Sequence, residues 1–270
     1  MEILIYIALP ALVIGALSLI FGGVLAYAGS VFYVDEDPRV AEITAALPGA
    51  SCGACGEPGC GAFAEAVASG LAAPTGCPIG GSKTAALIAE IMGVRQGEFR
   101  RKTAFVRCAG AESLTSWRYS YFGLSDCAAM GDMPGGGPKT CLYGCLGCGS
   151  CKTACKFNAV NVSGGLAVID MKSCASCGLC VAACPRGLIE LVPDDKLIRV
   201  ACYSPEDGSA VKAACRVGCI GCGICVKSCR YDAIHMSEDH LASVDYDKCA
   251  HCGACASRCP TKSIVNAAGG

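Results

Sequence analysis

The sequence predicts an α+β chain: one N-terminal transmembrane helix, a small cysteine-bound domain, and two tandem modules that repeat each other. Three observations carry that prediction. The spacing C-x2-C-x2-C-x3-C occurs four times, the residues from Ile3 to Ala28 carry no formal charge, and short apolar runs recur at matching places between the cysteine rows. The expected segments are 1–30 for the anchor, 31–90 for the small domain, 91–141 for a cysteine-containing connector, and 142–193 and 194–270 for the two modules.

The uncharged run from Ile3 to Ala28 exceeds the roughly 20 residues a helix needs to cross a hydrocarbon core. Pro10 falls inside it, where a membrane helix tolerates an isolated proline. Ala26-Tyr27-Ala28 resembles a small-x-small cleavage site, but Met1-Glu2 lacks a basic n-region and the apolar run is too long for a signal peptide. Glu2 on one side and Asp35, Glu36, Asp37 and Arg39 on the other do not orient the helix by positive charge. Reduced thiols belong to the cytoplasm, so the cysteine-bearing bulk is expected on that side of the membrane.

After the anchor comes the row Cys52-x2-Cys55-x4-Cys60, closed by Cys77-Pro78. Gly53, Gly56, Gly59 and Gly61 are expected to let the backbone wrap closely, because glycine alone takes positive φ without strain. Ala62 to Ala68 reads as a helix that starts at this row and ends near Gly70, with its N-terminal dipole toward an anionic group.

The four regular rows are Cys145, Cys148, Cys151, Cys155; Cys174, Cys177, Cys180, Cys184; Cys219, Cys222, Cys225, Cys229; and Cys249, Cys252, Cys255, Cys259. Three thiolates of such a row hold one 4Fe-4S cluster, and the fourth ligates the neighbouring cluster. Cys184 should therefore complete the first row and Cys155 the second; Cys259 should complete the third and Cys229 the fourth. Ala159 to Val162 and Leu166 to Ile169 flank Gly164-Gly165 as a hairpin, and Ala233 to Met236 with Leu241 to Val244 repeat it. Each half then reads as a two-cluster ferredoxin-like module.

These rows use twenty cysteines, and Cys108, Cys127, Cys141, Cys202 and Cys215 remain of twenty-five. Val106-Arg107-Cys108 matches Val200-Ala201-Cys202, and Cys141-x2-Gly144-Cys145 matches Cys215-x2-Gly218-Cys219. A sixth cluster has two candidate ligand sets. Cys108, Cys127 and Cys141 could join Cys145, or Cys108, Cys141, Cys202 and Cys215 could meet between the halves. Buried free thiols are the simpler alternative. The cofactor expectation is five 4Fe-4S clusters, with these five residues as candidates for a sixth.

Other chemistries fit poorly. Structural zinc takes ligand pairs separated by longer loops, often with histidine, and a disulfide framework suits short secreted domains. Twenty-two basic against 23 acidic residues leave no basic stripe, so nucleic acid is not an expected partner. No G-x-G-x-x-G opens a nucleotide fold, and Pro138 breaks the phosphate-loop register of Gly131 to Thr140, which reads as a flexible loop. His235, His240 and His251 are expected on the surface. Trp117, Tyr119 and Tyr121 either dock a redox partner or form local core. No residue is a candidate for bond-making catalysis.

The uncharged helix, the row Cys52-Gly-Ala-Cys55-Gly-Glu-Pro-Gly-Cys60, the stretch Gly135-Gly-Gly-Pro-Lys-Thr-Cys141-Leu-Tyr-Gly-Cys145-Leu-Gly and the two modules resemble the B subunit of Rnf complexes, in its longer form. That resemblance implies an anchor in the cytoplasmic membrane of a prokaryote, crossed once. It implies electrons taken from soluble ferredoxin and passed to flavoprotein and integral membrane subunits, which complete transfer to NAD and move Na+ or H+. Lys156 and Arg230 stand after Cys155 and Cys229, where ferredoxin rows usually have proline, and a cation there should raise a cluster's potential. Cys148 completes a first row that the longer form often lacks. An electron-entry subunit of another membrane reductase or hydrogenase, or a non-redox metal-bound scaffold, are the alternative readings.

Overall fold

The computed structural model describes residues 2–32 and 37–267. Helix α1 (Glu2–Val31) matches the expected anchor, and its Leu12–Val31 stretch is long and apolar enough to cross a membrane, with none of it buried inside the protein. The flanking Asp35 and Glu36 lie outside the described residues.

Three helices form the small domain. Asp37 caps α2 (Pro38–Ala46) by accepting the Arg39 N–H at 2.9 Å, and Pro38 supplies the helical φ of a first-turn position. The expected helix is α3 (Cys60–Ala68), which begins on the last cysteine of its row. With α4 (Gly81–Ile91), these helices bury Ile43, Leu47, Phe63, Ala64, Val67 and Ile88. Of the four glycines expected to wrap the row, Gly53 (φ +74°) and Gly56 (φ +90°) take positive φ. Gly59 is extended at φ −174° and Gly61 lies within α3, so neither has that role.

Each module pairs four strands two by two. In the first, β1 (Lys102–Val106) runs antiparallel to β4 (Ile189–Pro193), and β2 (Val160–Ser163) to β3 (Leu166–Ile169). In the second, β5 (Ile198–Val200) pairs with β8 (Ile264–Asn266), and β6 (Ile234–Met236) with β7 (Ala242–Val244). Both predicted hairpins are present. Strand β1 comes from the segment expected as connector, so the repeat begins upstream of the first row.

Helices α5 (Cys127–Gly131), α6 (Ser150–Ala154), α7 (Leu179–Ala182), α8 (Gly208–Ala214), α9 (Ile224–Ser228) and α10 (Ala254–Arg258) are all short. Gly149, Gly178, Gly223 and Gly253 precede α6, α7, α9 and α10 with φ between +66° and +88°. A side chain there would strain the turn that aims the third cysteine of each row inward. The two cores are built largely of those thiols: Cys151, Cys174 and Cys180 beside Val160 and Ile189 in one, Cys225, Cys255 and Cys259 beside Ile198 and Ile264 in the other.

Backbone hydrogen bonds tie the modules together. The Ala109 N–H donates to Ala201 O (3.1 Å), Ser116 N–H to Ala214 O (2.9 Å) and Arg216 N–H to Leu114 O (2.9 Å). Arg199, 1% exposed, stacks over Phe105 at 5.2 Å and donates to Thr103 Oγ1 at 3.3 Å. A buried guanidinium without its partners would cost several kcal/mol, so this contact fixes one module against the other.

Candidate metal centres

Every cysteine is a free thiol. Four thiol-lined cavities recur along the chain. Cys52, Cys55, Cys60 and Cys77 surround the first, with Phe63 and Pro78. Cys219, Cys222, Cys225 and Cys259 surround another, which is the cross-row set the spacing predicts. A third is lined by Cys145, Cys151, Cys184 and Cys127, and a fourth by Cys108, Cys141, Cys202 and Cys215. Among the described residues, no three ligating side chains crowd closely enough to share one ion.

The second row gathers with Cys155. Burial, then Cys174, Cys177, Cys151 and Cys155, push the Cys180 thiol up to about 12. For the fourth row, burial and then Cys249 and Cys252 raise Cys255, and Cys229 packs on the same core.

The donor set fits anionic clusters. Backbone N–H groups donate to sulfur from Gly80 to Cys77, Ala104 to Cys174, Gly110 to Cys108 and Leu188 to Cys184, each at 3.4 Å, and from Ala233 to Cys229 at 3.3 Å. Such bonds favour thiolate over thiol. Burial and neighbouring thiols work the other way, carrying Cys151 and Cys225 up to about 11. Cys259 differs: burial is outweighed by Ser263, the Ile264 N–H and Thr261, which bring it to about 7.

The cavity at the junction of the modules is shaped to receive a group. A Cβ on Gly110 would fall 3.3 Å from Cys215 Sγ and 3.6 Å from Cys108 Sγ; one on Gly144 would fall 3.4 Å from Cys141 Sγ and 3.7 Å from Cys108 Sγ. Strand-like pairing of Thr115 with Cys215 on one side, and of Trp117 with Lys139 on the other, carries Cys141 to this place. Of the two ligand sets considered for the five leftover cysteines, the structure assembles the one between the halves. Cys127 lies elsewhere, so it does not join Cys108 and Cys141.

A buried lysine and a half-buried arginine stand between this cavity and the first-row cavity. Lys139, 1% exposed, donates from Nζ to Gly110 O (3.2 Å), Cys145 O (2.7 Å) and Gly165 O (3.1 Å), with Trp117 5.5 Å below it. Arg186 donates to Cys141 O, Gly144 O and Gly136 O, and burial lowers its pKa. Neither makes an ion pair with a carboxylate among the described residues. Residues Gly131 to Thr140, expected as a flexible loop, are instead pinned, with Arg118 donating to the carbonyls of Gly135, Gly137 and Lys139. Sequence reasoning missed both cations, since a lysine and an arginine in irregular segments carry no pattern.

His235 and His240 are exposed as expected, whereas the half-buried His251 accepts the Leu197 N–H on Nδ1 at 3.1 Å. Tyr121 packs against Cys127, Met130 and Leu146 as local core, and Trp117 is exposed with its ring under Lys139 Nζ.

The sites lie in an order. The Cys177 thiol is raised by burial and by Cys155 and Cys52, so the second row sits beside the N-terminal row. Cys180 feels Cys151, Cys145 feels Cys108, and Cys202 feels Cys219, each after burial. Thiol-lined sites in file behind an apolar helix define a membrane-associated multi-cluster iron–sulfur protein.

Family models agree on the modules: an Fe-S cluster family matches residues 47–79, and 4Fe-4S dicluster domains match 144–189 and 218–263. The chain is 45% identical over 260 residues to the B subunit of the Na(+)-translocating ferredoxin:NAD(+) oxidoreductase complex of Acetobacterium woodii, covering 96% of this chain and 77% of the relative. It is 40% identical to the B subunit of the ion-translocating oxidoreductase complex of Methanosarcina acetivorans, over 93% and 95% of the two chains. It is 43% identical to the B subunit of the proton-translocating ferredoxin:NAD(+) oxidoreductase complex of Clostridium ljungdahlii, over 92% and 88%. The chain belongs to the family of B subunits of these ion-translocating oxidoreductase, or Rnf, complexes.

Proposed function

We propose that this chain carries electrons from reduced soluble ferredoxin into an Rnf-type complex, through six 4Fe-4S clusters held in file. The observation that carries the proposal is the order of thiol-lined sites from Cys52 to the C-terminal row, with each site next to the following one. Bound clusters would supply one-electron exchange over a range of potentials set by their surroundings, within roughly −700 to +450 mV.

The protein's part is to hold, space and tune those groups. Cys52, Cys55, Cys60 and Cys77 hold the cluster nearest the anchor in the chain. Cys174, Cys177 and Cys180 with Cys155 hold the next, and Cys145, Cys151 and Cys184 with a fourth thiolate the third. Cys108, Cys141, Cys202 and Cys215 hold a junction cluster. Cys219, Cys222 and Cys225 with Cys259, and Cys249, Cys252 and Cys255 with Cys229, complete the second ferredoxin-like module. The buried Lys139 and the half-buried Arg186 offset the negative charge of two neighbouring sites, as cations drawn from water without a carboxylate partner require.

The anchor crosses the cytoplasmic membrane once, with the clusters on the cytoplasmic side, where ferredoxin meets the exposed second module. Flavoprotein and integral membrane subunits take the electrons onward, and NAD reduction and Na+ or H+ movement belong to them. Anaerobic mixing with reduced ferredoxin tests this reading. Bleaching of this chain's visible absorption within the mixing experiment is expected. No bleaching by ferredoxin, in a chain that dithionite reduces, would exclude ferredoxin as the donor.

A further inference from the structure

Six 4Fe-4S clusters need twenty-four thiolates and the chain has twenty-five cysteines, so one thiol must stand outside. We propose, on the cluster reading above, that Cys127 is the fourth ligand of the first-row cluster and that Cys148, inside the row, is the cysteine left out. The two modules provide the comparison. In the second, the cavity is lined by all three row cysteines, Cys219, Cys222 and Cys225, together with Cys259. In the first, Cys145, Cys151 and Cys184 line the cavity as their counterparts do, but the place of Cys222 is taken by Cys127 rather than by Cys148.

The reason lies in α5. In the second module the helix of the corresponding segment, α8, carries no cysteine, and between Val200 and Cys219 the cysteines are Cys202 and Cys215 alone, the matches of Cys108 and Cys141. Helix α5 brings both an extra thiol and a thioether. The Cys127 N–H donates to Ser150 Oγ at 2.8 Å, and Ser150 Oγ donates to Asp126 Oδ2 at 3.0 Å. Asp126 in turn accepts the Ala128 and Ala129 N–H groups, each at 2.9 Å, so α5 is locked to the loop of the row. Cys148 Sγ contacts Met130 Sδ at 3.4 Å and packs with Tyr121 on the small core of Cys127, Met130 and Leu146.

Cys151 lies within electrostatic reach of Cys145, Cys127 and Cys184, the other three members of the proposed set. Ligation by Cys127 releases its proton to solvent and forms one Fe–S bond, with no change in oxidation state.

The test uses the full chain, purified anaerobically, as wild type, Cys148→Ala, Cys127→Ala, Cys127→Ser and the double alanine variant. Iron and acid-labile sulfide are measured with the EPR spectrum and midpoint potential of each cluster. Wild type with no sulfide would fail the cluster reading itself, separately from this inference. Cys148→Ala is expected to keep the wild-type iron content, spectrum and potentials. Cys127→Ala is expected to lose about 4 Fe per chain, or to keep a cluster with altered spectrum and potential that the double variant then loses. Cys127→Ser, which preserves packing and can ligate through oxygen, is expected to shift one cluster and leave the other five unchanged. Loss or alteration of a cluster in Cys148→Ala, with wild-type spectra in both Cys127 variants, would overturn the assignment.

Discussion

The backbone N–H of Cys145 donates to the Sγ of Cys108 at 3.4 Å, so one hydrogen bond joins the first cysteine row to the junction between the modules. Cys108 is thereby a member of one thiol set and held by a residue of the next.

If the junction site carries a cluster, Cys202→Ala should remove about 4 Fe per chain and leave both ferredoxin-like modules their own signals. Electrons given to the second module should then reach the N-terminal site at least tenfold more slowly. Rapid-freeze EPR checks this, and unchanged iron and unchanged kinetics would make Cys202 a packing thiol.

Lys139 should raise the potential of the junction and first-row clusters, because a buried cation favours the more negative, reduced state. Replacing it with methionine should lower one or both midpoint potentials by on the order of 100 mV, taking one charge at several ångströms in a medium of effective dielectric near 20. It should also cost about 1–3 kcal/mol, since three carbonyls lose their donor. Spectroelectrochemical titration of K139M gives the answer, and midpoints equal to wild type would deny Lys139 an electrostatic role.

Gly110→Ala should damage the junction selectively. Its new Cβ would lie 2.7 Å from Thr115 Cγ2 and 3.3 Å from Cys215 Sγ, so the segment must move. Overpacking of this kind costs about 1–3 kcal/mol. Loss of one cluster signal among otherwise wild-type spectra is expected, while a fully loaded junction would show that the site has room to spare.

Iron retention should depend on pH with a defined sign. Burial and thiol repulsion raise Cys151, Cys180 and Cys225 above 9, so in the metal-free fold these groups hold protons that ligation must displace. Protons therefore compete with iron, and reconstitution should become more favourable as pH rises from 6 toward 9, roughly the ordinary thiol value. Iron uptake measured against pH at fixed iron and sulfide checks this, and a flat profile would contradict it.

Removing Met1 to Ala28 should yield a soluble protein with its iron intact, because every thiol set lies beyond α1. Sedimentation after detergent-free lysis and iron assay suffice. A truncated chain that binds no iron would make α1 part of the metal-bearing fold.

Much of this was legible in the sequence because iron–sulfur ligation imposes strict local spacing. The gathering of Cys259 with Cys219, Cys222 and Cys225 around one cavity, and the hairpins around Gly164-Gly165 and after Tyr231, follow from a repeat that the eye can align. The helix starting at Cys60 was legible for the same reason. What the spacing could not show is where nonlocal segments land. Strand β1 lies in a stretch with no cysteine row and is fixed by pairing with β4, some ninety residues on. Cys108 and Cys202 matched as repeats, but only the bonds of Ala109, Ser116 and Arg216 across the modules bring their thiols to one cavity. Cys127 offered no periodic cue at all, and its position depends on Asp126 and Ser150.

Iron and acid-labile sulfide per chain, determined anaerobically alongside an EPR-monitored redox titration, test the six-site wire most directly. About 24 Fe with matching sulfide, and signals from interacting clusters on reduction, are expected. About 20 Fe would leave the junction thiols without a cluster and break the wire between its halves, and near-zero sulfide would contradict it altogether.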